Sequence, residues 1–83
     1  MSENTRKAAE RVAERLTGQG HAGHAGTMRE ALALGAEHAV LLALREVCQT
    51  VLSAVEAFDP ETMAMVEKLR LSIDRNLEEP HRG

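Results

Sequence analysis

The sequence predicts an all-α protein: a helical hairpin, with a long second helix folded back on a shorter third, preceded by a short flexible N-terminal helix and dimerising into a four-helix bundle. Three observations carry this expectation. Apolar residues recur at three- and four-residue spacing, the helical period, with no alternating strand-like stretch. A helix-start pattern stands at Thr27 and Glu30, and a stop-and-restart signal at Phe58-Asp59-Pro60-Glu61. The chain has 83 residues and is 43% apolar, but 13 of those apolar residues are alanines and only 22 are Leu, Val, Ile, Met or Phe. So small a stock of large side chains leaves one copy short of core, and a second copy is the expected remedy.

Residues 2 to 16 read as the first helix, because Ala8, Val12 and Leu16 recur at i, i+4 and i+8 with Ala9 and Ala13 beside them. Ser2 or Asn4 supplies a cap. Glu3 with Lys7 and Arg6 with Glu10 form i,i+4 pairs of about 0.2–0.5 kcal/mol each, too little to hold an isolated helix. Weak docking is therefore expected. The stretch TGQGHAGHAG, residues 17 to 26, holds four of the six glycines and reads as a mobile linker.

The second helix is expected from Thr27, whose hydroxyl caps while Glu30 reaches back, to about Ala57, a length of about 45 Å. Gly35 is its one interior weak point. Asp59 then serves as N-cap, Pro60 as first helical residue and Glu61 as the acid at the positive helix end, with Phe58 packing on Met63 as a staple. The third helix continues to about Glu78, so the hairpin spans 27–79 and residues 80–83 form a tail, all within one domain of residues 1–83.

Leu34, Leu41, Leu44, Cys48, Val51, Val55 and Phe58 form a seam at coiled-coil spacing on the second helix, matched by Val66, Leu69, Ile73 and Leu77 on the third. A second stripe lies roughly 60–100° around the same helix and needs other cover. Leu32, Ala36, Ala39, Val40, Ala43, Val47 and Ala54 are accordingly the expected interface with a second copy.

Few residues suggest chemistry. Glu30 and Glu37 occupy seam positions beside His38, so a metal-binding bundle is one alternative function. An overhang of the long helix past the short one explains the same charges, and the Glu-x-x-His pattern of di-iron bundles does not occur. His21 and His24 could present two imidazoles to a metal, but four-ligand spacing is missing and solvated loop histidines are expected. His38 on a polar helix side gives a third alternative, phosphotransfer, without the residues that usually follow a phosphoacceptor histidine. Cys48 reads as a packed core thiol with no activating base on its face.

The net charge of −3 comes from 13 acids and 10 bases mixed along the chain, and Phe58 is the sole aromatic. These features argue against a nucleic-acid or membrane partner. The single cysteine forms no internal disulfide, and the charged N-terminus has no signal-like apolar stretch, so a cytoplasmic protein is expected. The expected function is a dimeric protein–protein interaction module of adaptor, chaperone or regulator type, partnered by itself and another protein, with no catalysis and no cofactor.

Overall fold

The computed structural model describes residues 1–78, which form four α-helices in chain order: α1 (Glu3–Gly18), α2 (Ala22–Leu32), α3 (Glu37–Ser53) and α4 (Pro60–Glu78), with a single 3₁₀ turn (Val55–Ala57) between the last two. The last residue of the expected hairpin, 79, and the expected tail at 80–83 lie outside the described residues.

Helix α1 starts where the sequence allows: Ser2 is the N-cap and its hydroxyl accepts a hydrogen bond from the Thr5 N–H. Its far end is closed by the glycine that the chain needs there. The Gly20 N–H donates to the Thr17 carbonyl and the His21 N–H to the Leu16 carbonyl at 2.8 Å, the paired bonds of a Schellman cap. That cap requires a left-handed residue, and Gly20 has φ +81°.

The next helix begins immediately after, so residues 17–26 are not a linker. Gly23 and Gly26 lie inside α2. These two glycines, one of them in the first turn, cost about 1.5 kcal/mol relative to alanine. Burying the Met28 side chain completely, with Ala25 and Ala31 beside it, returns an amount of the same size, about 1.5–3 kcal/mol for a methionine. Packing wins over propensity.

The predicted 30-residue helix is likewise absent. The chain turns at 33–36: the Leu34 N–H bonds only as far back as the Ala31 carbonyl, and Ala36 is extended (φ −96°, ψ 125°) as N-cap of α3. A continuous helix would leave its second apolar stripe in water. Breaking it lets α2 lie against α3.

The four helices then pack in a ring, α1 on α2 and α4, and α3 on α2 and α4. Short connections make sequence neighbours antiparallel. One core runs through the ring, from Ala9, Val12 and Leu16 through Met28 to Leu44, Cys48, Val51, Val66, Leu69 and Ile73, all between 0 and 2% exposed. The radius of gyration, 12.2 Å, is close to the about 12 Å expected of a compact chain this long. The expectation of a hairpin with a flexible N-terminal helix that dimerises into a four-helix bundle is thereby corrected: the bundle is complete within a single chain, because α1 and α2 supply the cover that a second copy was expected to provide.

Candidate functional site

Two polar clamps set α1 antiparallel along α4. At one end the Thr5 hydroxyl lies 2.6 Å from the Ser72 hydroxyl and accepts from Asn76 Nδ2 at 3.1 Å. At the other, Arg15 Nε donates to the Thr62 hydroxyl at 3.0 Å while its terminal nitrogen donates to Asp59 (3.0 Å) and Glu61 (3.2 Å). The two buried threonines are thus satisfied, as buried hydroxyls must be. Asp59 also meets the Thr62 hydroxyl. That hydrogen bond, helped by Gln19 and Arg15, holds its carboxyl down at about 2.

The residues that suggested chemistry are scattered. Glu30 is exposed on α2, His38 is exposed at the start of α3, and the Glu37 carboxylate pairs with the Met1 amino group. Among the described residues no three His, Cys, Asp or Glu side chains come together as a metal-binding group. His21 and His24 are half-buried against Phe58, with ring centroids 4.3 and 5.8 Å from it and 6.4 Å from each other. The α1–α2 and α3–α4 turns therefore close one end of the bundle through three rings tilted against one another. Cys48 is fully buried, and desolvation pushes its thiol up to about 12 despite the attraction of Arg70. A thiol held neutral in this way is a poor nucleophile.

The stripe expected at an interface is divided. Val40 and Val47 are buried in the chain's own core, Leu32, Ala43 and Ala54 are partly buried against it, Ala39 is half-buried and Ala36 is exposed.

A different surface stands out. The buried stripe of α4 is Thr62, Val66, Leu69 and Ile73, and Leu71 lies roughly 170° around the helix from its centre. Leu71 is 60% exposed and forms the crest of α4; among the described residues Val55 (63%), Leu34 (45%) and Leu42 (40%) are the other exposed large apolar side chains, so Leu34 and Val55, expected in the seam, lie outside the core. A groove of about 370 Å³ between α1 and α4 runs along one side of this crest, with Arg11 and Lys68 at its edge and Ala8 and Met65 among its lining. Along the other side a groove of about 430 Å³ is lined by Leu52, Glu67, Arg70, Leu71 and Asp74. Within the described residues, Glu67, Lys68 and Arg75 have no oppositely charged group within 4 Å, and Asp74 approaches only Arg70, at 3.9 Å. Sequence reasoning passed over Leu71 because the core stripe alone was traced along this helix, although the leucine's position opposite that stripe is visible in the spacing.

Compared with protein-family models, curated proteins and solved structures, the chain matches none of them. Among the described residues no helix is long and apolar enough to cross a membrane.

Proposed function

We propose that this chain is a small helical protein–protein interaction module of the adaptor, chaperone or regulator type, with no catalysis of its own. The observation that carries the reading is Leu71: a leucine 60% exposed at the centre of the solvent-facing side of α4, where it adds little to the core. Large apolar side chains ringed by charge are a common feature of protein-docking surfaces. The mixed charge of that face suits a protein partner better than a phosphate backbone or an anionic membrane, each of which calls for a single-sign basic surface. Self-association belongs to the same reading. A cytoplasmic setting fits a lone buried cysteine that is kept reduced.

The test is co-purification from the native source with wild-type chain and with Leu71→Asp. Because Leu71 contributes little to the core, the variant keeps its helical circular-dichroism signal and melting temperature. A stoichiometric partner held by the wild type and weakened at least about tenfold by Leu71→Asp is the expected outcome. A partner retained equally by both proteins would remove this face from the function.

A further inference from the structure

We infer that the outer face of α4 docks a second copy of this chain, in parallel and in register, about a two-fold axis that runs along the helix beside Leu71. The inference rests on the interaction-module reading and names its partner. What selects a second copy is the arrangement of charge around the leucine. On a wheel of 100° per residue, Glu67 and Asp74 fall roughly 40–60° to one side of Leu71, and Lys68 and Arg75 fall roughly 40–60° to the other. The face is therefore an acidic rail and a basic rail with Ala64, Leu71 and, at the C-terminal end of the helix, the exposed Glu78 between them. Arg11, across the α1–α4 groove, lies on the basic side. Three of the four rail residues are exposed and the fourth, Asp74, is half-exposed.

A surface that meets its own copy must be self-complementary under a two-fold rotation. If the axis runs parallel to α4, each rail is carried onto the opposite rail of the other copy at nearly the same height. Glu67 then faces Lys68 of the second copy, Asp74 faces Arg75, and each relation occurs twice. If the axis instead crosses α4, giving antiparallel helices, each rail meets its own kind: Glu67 faces Asp74, and Lys68 faces Arg75. That pairing opposes like charges along the whole face, whereas the parallel one does so only where Glu78 meets its own copy at the helix end, so the four rail residues choose both the partner and the orientation. One helix face falls short of the about 800 Å² per partner of a standard interface, so the association is weak and concentration-dependent, unlike that of an obligate dimer.

The experiment is sedimentation equilibrium on the whole chain from about 10 µM to 1 mM, the span in which such a contact titrates. The wild type is expected to pass from monomer to dimer. Two surface variants probe the rails, K68E/R75E with two acidic rails and E67K/D74K with two basic ones, and E67K alone replaces the latter if losing Asp74 disturbs Arg70. Each variant by itself is expected to remain monomeric and helical, and the equimolar mixture to dimerise. Ala64→Cys, one heptad before Leu71 on the same face, reports orientation: parallel docking brings the two cysteines together, and mild oxidation yields a covalent dimer. A wild type that stays monomeric to about 1 mM, a mixture that does not dimerise, or an Ala64→Cys chain that stays unlinked where the dimer is populated would each overturn the inference. Self-docking and the module reading fail separately. A monomeric wild type that still loses a co-purified partner on Leu71→Asp refutes only the first, whereas a dimer with no Leu71-dependent partner leaves only the first.

Discussion

Replacing glycines in the 17–26 stretch distinguishes a packed helix from a linker by the sign of the change. Gly26 is interior to α2 and Gly23 lies in its first turn, and a Cβ built on either meets no atom within 4 Å. Alanine at Gly26 therefore gains the full difference in helix propensity, about 1 kcal/mol, and at Gly23 about half of it because the helix end constrains the backbone less. The double variant should be about 1.5 kcal/mol more stable, which for a domain this size raises the melting temperature by about 6–12 °C. Gly20 gives the opposite result. Its Cβ would also meet nothing, but its φ of +81° forces a side chain into the left-handed region, at a cost of about 1–2 kcal/mol. Gly20→Ala should lower the melting temperature by about 4–8 °C or more. Differential scanning calorimetry on the three proteins reads both signs directly. If Gly23→Ala/Gly26→Ala and Gly20→Ala both leave the transition within about 2 °C of wild type, the segment is unstructured and the helix assignment is wrong.

Leu16, fully buried at the end of α1, should cost about 2–5 kcal/mol when changed to alanine, a large part of the about 4–12 kcal/mol total stability of a chain this long. Urea denaturation showing less than about 1 kcal/mol would mean that α1 is a loosely tethered arm. The Asp59 carboxyl, held at about 2 in the folded chain against an ordinary value of 3.8, stabilises the fold fully above pH ~4 and loses that contribution as the pH falls from ~4 to ~2. Asp59→Asn keeps an oxygen for the Thr62 hydroxyl but removes the titration, so its melting temperature should fall less over that interval than the wild type's; an equal fall would show that Asp59 is not responsible.

Much of the architecture was legible in the residues. The cap at Ser2, one of two candidates with Asn4, the Asp59-Pro60 restart, the buried stripes at Leu44 and Val51 on α3 and Val66 and Ile73 on α4, and the burial of Cys48 follow from local spacing and capping chemistry, whereas Leu34 and Val55 of the expected seam are exposed. The two turns that create the bundle were not. Four glycines in ten residues look like a linker, and nothing local shows that Met28 and Ala25 will be buried by α1. The stretch from Thr27 to Ala57 carries a continuous helical pattern, and only the cover that α2 gives to α3 makes a break at residues 33–36 favourable. The candidate site is similarly divided: the wheel places Leu71 opposite the core stripe, but that Glu67, Lys68 and Arg75 have no oppositely charged group within 4 Å among the described residues becomes visible only once α1 and α3 are in place.

By itself, then, the sequence determined that the chain is helical, where α1 and α4 begin, and which side of α4 is apolar, because caps, proline and 3.6-residue periodicity act within a few residues along the chain. Only the tertiary structure decided that the bundle closes on one copy. Whether a glycine-rich stretch or a long apolar pattern stays straight depends on the difference between a local propensity cost of about 1 kcal/mol per glycine and the burial gained from helices distant in sequence, and that second quantity exists only when the four helices have met.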